Sequence, residues 1–168
     1  MSTRRTTTLV TGASVGLGLA IARRLLEKTD DHLILTARES SLGRFADEGI
    51  TEGPRVWLRP LDITDDAQRT ERVREIEDEL GGLDALVNNA GITYRSVIEH
   101  VTDDERRHQM EVNYQGPMGL SRLAMAGMRR RRRGRIVQVS SAGGLMAMPT
   151  MGVYAASKFA LEAATEAM

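Results

Sequence analysis

Short apolar stretches and amphipathic stretches alternate along the chain from its start. Runs of apolar and β-branched residues predict strands at residues 6–11, 32–37, 55–58, 83–88 and 135–140. Apolar residues three and four positions apart predict helices at residues 16–28, 40–48, 64–80, 103–128 and 152–168. The third helix opens on Thr64, Asp65 and Asp66, a typical N-terminal signature, and the fourth is interrupted near Gly116 and Pro117.

This alternation predicts the fold class. Short apolar strands joined by helices form a parallel sheet that helices cover on both faces. Right-handed connections then give a doubly wound α/β sheet of the Rossmann type. The sequence has no internal repeat and no low-complexity linker, so we expect residues 1–168 to form a single domain.

Composition narrows the class of function. The chain of 168 residues carries 23 basic and 23 acidic side chains, so its net charge does not indicate a nucleic-acid or acidic partner. It has no cysteine, which excludes disulfides and thiolate metal sites, and its histidines show no ligand spacing, so we expect no metal. No apolar run approaches the roughly 20 residues that span a bilayer, and the polar start lacks the apolar core of a secretory signal. We therefore expect a cytoplasmic protein without a membrane partner.

A run of arginines at residues 129–133, followed by Arg135, allows two interpretations. Clustered basic residues are typical of nucleic-acid binding. The run also falls where the long helix ends before the fifth strand, and cations stabilise the carboxyl end of a helix. The second interpretation is favoured, and we expect no nucleic-acid partner.

A glycine-rich loop joins the first strand to the first helix. It runs from Thr11 to Gly18 and carries Gly12, Gly16 and Gly18 in a Gly-x-x-x-Gly-x-Gly spacing. Glycines allow a tight turn and a close approach of the backbone to a pyrophosphate, which the helix N-terminus then attracts. An ordinary glycine turn is the alternative, but the strand–loop–helix context favours a dinucleotide site.

The residue after the second strand bears on the choice of dinucleotide. An acidic residue there would bind the ribose 2′-hydroxyl of NAD. The chain has Arg38 instead, and a planar guanidinium suits a 2′-phosphate. The sequence therefore favours NADP(H) over NAD(H), with an ordinary surface arginine as the alternative.

Tyr154 and Lys158 lie four residues apart in the last predicted helix, which places them on one face, one turn apart. An ammonium close to a phenol favours the phenolate and so provides a proton donor and acceptor near neutral pH. Lys28 and Lys158 are the only lysines among the 23 basic residues, and a guanidinium replaces a compact ammonium poorly. Joined to the phosphate loop, this pair predicts hydride chemistry on a carbonyl or an alcohol. Alone, Tyr154 could be a packed aromatic with its hydroxyl at the surface.

With these motifs in this order, the chain resembles the short-chain dehydrogenase/reductase family over all its 168 residues. The loop at residues 11–18 resembles the family's cofactor loop, and the Asn-Asn-Ala-Gly segment at residues 88–91 resembles the one that follows its fourth strand. Ser141 stands 13 residues before Tyr154, the family's usual spacing. Residues 143–149 and 154–162 resemble most closely the 17-beta-hydroxysteroid and retinol dehydrogenase members, but they do not identify a steroid substrate.

The resemblance implies a role for each candidate residue. Tyr154 would exchange a proton with the substrate oxygen, and Ser141 would donate a hydrogen bond to that oxygen. Lys158 would hold the nicotinamide ribose, and Asn113 would hold a water that links Lys158 to solvent. The implied cofactor contacts are Gly12, Ser14, Gly16, Leu17, Gly18, Arg38, Asp62, Asn89, Gly91, Tyr154 and Lys158, with Asp62 at the adenine. Ser140 remains the alternative serine, and Asn113 could be a helix-interrupting residue.

Members of the family continue beyond the helix of Tyr154 with a sixth strand, a Pro-Gly segment, a substrate loop and a seventh strand. The sequence ends at Met168, inside that helix. In the implied strand order 3-2-1-4-5, the fifth strand would be an edge with unpaired backbone groups. We expect a dinucleotide-binding domain that is incomplete at its C-terminus, with the cofactor half intact and catalysis weak or absent. A second polypeptide that supplies the missing strands is the alternative.

The sequence thus predicts an NADP-dependent oxidoreductase acting on a small-molecule carbonyl or secondary alcohol. By resemblance alone, a homodimer or homotetramer is expected. The competing hypothesis is a non-catalytic nucleotide-binding or interaction module derived from such an enzyme. The fold cannot separate the two, because function depends on the site rather than on the scaffold.

Overall fold

The computed structural model describes residues 5–168. Its sheet has five parallel strands in the order β3-β2-β1-β4-β5. The strands are β1 Thr7–Val10, β2 His32–Ala37, β3 Val56–Pro60, β4 Ala85–Asn88 and β5 Arg135–Gln138. The predicted strand order and the doubly wound α/β fold are therefore confirmed.

Helices connect the strands and cover both faces of the sheet. They are α1 Gly16–Lys28, α2 Arg44–Asp47, α3 Asp66–Leu80, α4 Asp103–Met110, α5 Gly116–Arg131 and α6 Gly152–Glu166. The predicted start of the third helix holds, with Asp65 as the N-cap: its side chain accepts a hydrogen bond from the Gln68 backbone N–H at 3.1 Å.

The core consists of two apolar clusters, one on each face of the sheet. Consecutive residues of a strand point to opposite faces, so Leu9 and Val10 of β1 belong to different clusters. The Leu9 cluster includes Ile76 of α3 and Leu120 of α5, and the Val10 cluster includes Ala22 of α1. Because both faces are covered, the polar loops at the carboxyl ends of the strands remain as the place for a site.

The fourth predicted helix contains a widened turn where the sequence predicted an interruption. The residues Glu111–Gln115 form a single π-helical stretch between α4 and α5, so the helical chain continues into Gly116 without a break. Gly116 tolerates no side chain there, because a Cβ would lie 2.5 Å from the Ile63 carbonyl oxygen. Turns of this kind are frequent at functional sites, and this one carries Asn113.

The helix predicted at residues 40–48 is shorter than expected. A 3-10 turn at Glu39–Ser41 and the short α2 replace it, with Gly43 between them. The strand predicted at residues 135–140 ends at Gln138, because its partner β4 ends at Asn88. Ser140 and Ser141 therefore lie in the loop beyond β5.

The arginine run lies at the carboxyl end of α5, as the favoured interpretation predicted. Arg131 donates to both oxygens of Glu77, at 2.9 and 2.7 Å, and to the Leu83 carbonyl at 2.8 Å. Arg133 pairs with Asp84 at 2.8 Å. These contacts attach the end of α5 to α3 and to the start of β4. Across residues 5–168, no helix combines the length and apolarity that crossing a membrane requires.

Candidate active site

The loop after β1 is shaped by its glycines. Gly12 and Gly16 adopt φ angles of +62° and +56°, in the left-handed region that favours glycine. A Cβ on Gly18 would clash with the Gly12 carbonyl oxygen and with Asn89 Nδ2. Nothing lies within 4 Å of the position that a Gly16 Cβ would take, so the space over the N-terminus of α1 is open. Such an open helix start suits a pyrophosphate.

Asn89 fastens this loop to the end of β4. Its Nδ2 donates to the carbonyl oxygens of Thr11 and Gly12, at 2.9 and 3.1 Å. In return, the Thr11 hydroxyl accepts from the backbone N–H groups of Asn89 and Ala90, each at 3.0 Å. The predicted contact of Asn89 with the cofactor is therefore accompanied by a structural role, because Asn89 sets the shape of the phosphate loop.

A cleft of about 350 Å³ lies at the carboxyl ends of β1, β2, β3 and β4. Eight of the predicted cofactor residues line it: Gly12, Ser14, Leu17, Gly18, Arg38, Asp62, Asn89 and Gly91. Gly16, Tyr154 and Lys158 are outside its wall, as are Asn113 and Ser141. The structure thus brings eight of the predicted cofactor residues together around one cavity.

Further residues of the cleft wall were missed by the sequence prediction. They are Val15, Ala37, Ser41, Arg44, Leu61, Ile63, Ala90, Ile92, His108 and Val112. Most adjoin a predicted residue, so strand ends gave a signal for them. Ser41 and Arg44 reach the cleft only because of the conformation of the turn after β2, which the sequence did not predict. His108 lies on α4, and no sequence pattern marks it as a cleft residue.

Asp62 is ionised and fixed in the cleft wall. Burial works against its ionisation, but hydrogen bonds from the Thr64 backbone and hydroxyl hold the pKa of Asp62 below its usual range. Electrostatic interactions with Arg38 and His108 lower the pKa of Asp62 further. Its Oδ1 accepts both Thr64 bonds, at 2.9 and 2.7 Å.

Asn113 is fully buried, and both its amide protons are engaged. Its Nδ2 donates to the Ile92 carbonyl at 2.9 Å and to the Ser157 hydroxyl at 3.0 Å, while its Oδ1 accepts from the Ile92 N–H at 2.9 Å. Asn113 therefore ties the loop after β4 to α6. A Cβ on Gly91 would lie 3.4 Å from Asn113 Oδ1 and 3.9 Å from Lys158 Nζ, so both side chains lie directly behind Gly91 of the cleft wall.

Lys158 is 5% exposed. Burial lowers the pKa of Lys158 from its ordinary value, and the nearby charge of Glu162 opposes part of that change. Its Nζ donates to the Val139 carbonyl at 2.8 Å and lies 6.0 Å from the centre of the Tyr154 ring. The ammonium is therefore held between the end of β5 and the aromatic ring.

Tyr154 and Ser141 both lie beside Gly143. A Cβ on that glycine would lie 3.1 Å from Tyr154 Cε1 and 3.5 Å from Ser141 Oγ. The Ser141 hydroxyl accepts a bond from the Gly143 N–H at 3.1 Å, which leaves its own proton to donate elsewhere. The Ser140 hydroxyl is buried without a partner and would lie 2.8 Å from a Cβ on Gly144 instead. The geometry thus favours Ser141 over Ser140 as the partner of Tyr154.

Large apolar side chains are exposed next to this pair. Leu145 is 78% exposed, and Met146 and Met148 are 60% and 45% exposed. The loop that carries them follows Gly143 and is joined to the loop after β4, where the Ser96 N–H donates to the Thr150 carbonyl at 3.0 Å. The loop between Ser141 and α6 therefore presents apolar side chains to solvent.

Comparisons with known proteins agree with this geometry. The family profile described as short chain dehydrogenase matches residues 6–168. The chain is 36% identical over 161 residues to the 3-ketodihydrosphingosine reductase of Bacteroides thetaiotaomicron, and the match covers 95% of this chain and 56% of that protein. The chain spans about half the length of the curated relatives it matches.

Solved structures give the same result. A short-chain dehydrogenase from Streptomyces avermitilis superposes with a TM-score of 0.92 at 34% identity, covering 99% of this chain and 60% of that one. A gluconate 5-dehydrogenase from Burkholderia cenocepacia, solved in complex with NADP and tartrate, superposes with a TM-score of 0.85 at 30% identity, covering 97% of this chain and 64% of that one. The chain belongs to the short-chain dehydrogenase family.

Proposed function

We propose that this protein is an NADP-dependent oxidoreductase that acts on a carbonyl or a secondary alcohol. The observation that carries the proposal is that Lys158, whose Nζ lies 6.0 Å from the centre of the Tyr154 ring, adjoins Gly91 in the wall of a cleft that suits a dinucleotide. Membership of the short-chain dehydrogenase family supports oxidoreductase chemistry, and one relative is named as a 3-ketodihydrosphingosine reductase.

The cleft fits a nicotinamide dinucleotide. Gly18 must lack a side chain for the loop to close, and the space over Gly16 is open, so the backbone can approach a pyrophosphate. Gly12, Ser14 and Leu17 would hold the phosphates, with Asp62 at the adenine. Asn89, Gly91 and Lys158 would hold the nicotinamide end. When bound, the cofactor supplies or accepts the hydride.

The chain itself supplies position and protons. Tyr154 would give a proton to the carbonyl oxygen in reduction and take it back in oxidation. Ser141 has a free hydroxyl proton to donate to the same oxygen, which stabilises the charge that develops there. Lys158 lies beside the ring, with its Nζ 6.0 Å from the ring centre, and would hold the nicotinamide ribose.

The water relay implied for Asn113 remains a prediction. Both protons of its side-chain amide are engaged, so a water there would have to donate to Oδ1 or bind the backbone. Its hydrogen bonds support a positioning role, because they link the loop after β4 to the helix that carries Tyr154 and Lys158.

Arg38 supports NADP over NAD. It lines the cleft at the end of β2, where an acidic residue would bind a free ribose 2′-hydroxyl. The structural relative from Burkholderia cenocepacia was solved with NADP. The substrate remains a small-molecule carbonyl or alcohol, and the assembly of two or four chains stays a prediction that light scattering can test.

The test compares Tyr154→Phe with Tyr114→Phe. Tyr114 is a half-buried tyrosine on the π-helical turn, and no hydrogen bond of its hydroxyl is seen within residues 5–168. Oxidation of NADPH is followed with a panel of ketones and aldehydes, and cofactor affinity is measured by titration. We expect Tyr154→Phe to lower turnover about 100- to 10,000-fold with cofactor affinity unchanged, and Tyr114→Phe to change neither. Cofactor binding without turnover in the parent protein would instead indicate a nucleotide-binding module.

A further inference from the structure

A fully buried serine, Ser157, lies on α6 between Tyr154 and Lys158. Its hydroxyl accepts a hydrogen bond from Asn113 Nδ2 at 3.0 Å and donates one to the Tyr154 carbonyl at 2.7 Å. A hydroxyl has a single proton, and this one is already engaged with the backbone. Any part that Ser157 takes in the reaction therefore acts through the groups that it binds.

The start of α6 has little local support. Tyr154 lies in the first turn of the helix, where the backbone N–H groups have no partner within the helix. Met151 is the N-cap residue, and within residues 5–168 its side chain forms no capping hydrogen bond. Thr150, directly before it, has φ +65°, a conformation that β-branched residues rarely adopt. The position of this turn therefore depends on contacts from other elements.

Asn113 connects Ser157 to the wall of the cleft. Its side chain binds both the N–H and the carbonyl of Ile92, each at 2.9 Å, and Ile92 lines the cleft. A continuous series of hydrogen bonds thus runs from Ile92 through Asn113 and Ser157 to the Tyr154 backbone. Asn113 and Ser157 are both fully buried, so a bond lost from this series leaves a buried polar group without a partner.

A serine in a helix often bonds to a preceding carbonyl without any further role. Thr165 of the same helix does so, with its hydroxyl 2.6 Å from the Leu161 carbonyl. Ser157 differs because its hydroxyl also accepts a bond from Asn113, which lies on the π-helical turn. The bond to Tyr154 is therefore fixed from outside the helix.

We propose that Ser157 is a positioning residue that holds the backbone of Tyr154 at a set distance from the cleft wall. This inference rests on the proposed function for the role of Tyr154 in proton transfer. The phenol must lie within hydrogen-bonding reach of the substrate oxygen. A displacement of about 1 Å can lower the rate of such a reaction about 100-fold, although no group that touches the substrate is removed.

The experiment compares Ser157→Ala with Ser121→Ala. Ser121 of α5 is a matched control, because it is also fully buried and its hydroxyl also takes part in two hydrogen bonds. It accepts from Asn88 Nδ2 and from Gln138 Nε2, each at 3.0 Å. Ser157→Cys is the second variant, since a thiol keeps weaker hydrogen bonds at the same place. Circular dichroism establishes that each variant is folded.

Two properties are measured for each variant. Hydrogen exchange of the backbone amides of residues 155–158 reports on the first turns of α6 without any turnover. Steady-state reduction of a ketone by NADPH gives kcat and the KM values. We expect Ser157→Ala to speed this exchange about tenfold and to lower kcat about ten- to a hundredfold, with KM values within about threefold. Ser157→Cys should act in the same direction but less, and Ser121→Ala should leave both properties within about twofold.

Two outcomes would overturn the inference. Unchanged exchange in Ser157→Ala would mean that the hydroxyl does not hold the start of α6. Equal losses of kcat in Ser157→Ala and Ser121→Ala would mean that both serines act only through overall stability. A parent protein without turnover would refute the proposed function, whereas the exchange measurement would still decide whether Ser157 holds the Tyr154 backbone.

Discussion

Replacing Gly18 with alanine is expected to disrupt the phosphate loop and to destabilise the protein. The new Cβ would clash with the Gly12 carbonyl oxygen and Asn89 Nδ2 and would lie 3.0 Å from the Gly12 carbonyl carbon. Two of the three atoms belong to the backbone, so a rotamer change cannot relieve the contact, and the loop must move by about 1 Å. Overpacking of this kind costs about 1–3 kcal/mol.

The movement would also break the two bonds that Asn89 Nδ2 donates to the loop. Each contributes about 1 kcal/mol, which brings the expected loss to about 3–5 kcal/mol. For a chain of this size, that corresponds to a fall in melting temperature of about 6–20 °C. Affinity for NADPH should fall as well, because Gly18 and Asn89 both line the cleft.

Gly43→Ala is the matched control. Gly43 has φ −56° and ψ −26°, a helical conformation that alanine adopts freely, and nothing lies within 4 Å of the position of its Cβ. Alanine there should raise stability by about 0.4–1 kcal/mol. Urea denaturation measures the stability of both variants, and titration measures their affinity for NADPH. A Gly18→Ala protein with parental stability and parental NADPH affinity would refute the reasoning.

Three further predictions concern α6, the loop beyond β5, and β5 itself. Lys158→Met should raise stability at pH 7 by about 1 kcal/mol while abolishing turnover, because an ammonium buried beside the Val139 carbonyl is replaced by an apolar chain. Folding lowers the pKa of Lys158, so the parent protein gains stability as the pH rises from the folded pKa towards the ordinary value. Urea denaturation should therefore show that the stability advantage of Lys158→Met becomes smaller over that pH range. A stability advantage that does not depend on pH would contradict the assignment. Ser141→Ala should lower turnover about 100-fold or more. Ser140→Ala should keep turnover and raise the free energy of unfolding by about 1 kcal/mol, because it removes a buried hydroxyl without a partner. If instead Ser140→Ala lost turnover and Ser141→Ala kept it, Ser140 would be the catalytic serine. Val137 is 42% exposed on β5, which is an edge strand within residues 5–168. Val137→Lys should therefore reduce the aggregated fraction measured by light scattering, with little change in stability. Equal aggregation of the variant and the parent protein would show that chains do not associate through this edge.

The sequence predicted the sheet well because its signals are local and repeated. All five predicted strands exist, and the order follows from right-handed connections between parallel strands. The predicted strand ends were less accurate, because pairing with the neighbouring strand decides where a strand ends. β3 extends to Pro60 because Pro60 lies opposite Ala37 of β2, and β5 stops at Gln138 because β4 ends opposite it.

The cleft was predicted where glycines and strand ends mark it. Eight predicted residues line it, because they follow the carboxyl ends of strands or lie in the first turn of α1. Arg44 and His108 reach the cleft through a turn and a helix whose directions depend on packing. No spacing in the sequence could have indicated them.

The hydrogen bonds of individual side chains could not be predicted from the sequence. The spacing of Tyr154 and Lys158 predicted one helical face, but the bond from Lys158 to the Val139 carbonyl depends on where β5 ends. The two engaged amide protons of Asn113 likewise depend on the π-helical turn that points this residue towards Ile92 and Ser157.

Transfer of deuterium from C4-labelled NADPH to a carbonyl substrate shows whether bound cofactor and Tyr154 act together in hydride transfer. The account predicts that the parent protein yields an alcohol carrying the label at its carbinol carbon, and that Tyr154→Phe yields almost none while still binding the labelled cofactor. A parent protein that binds NADPH yet delivers no label to any ketone or aldehyde, or a Tyr154→Phe protein that delivers it at the parental rate, would contradict the account.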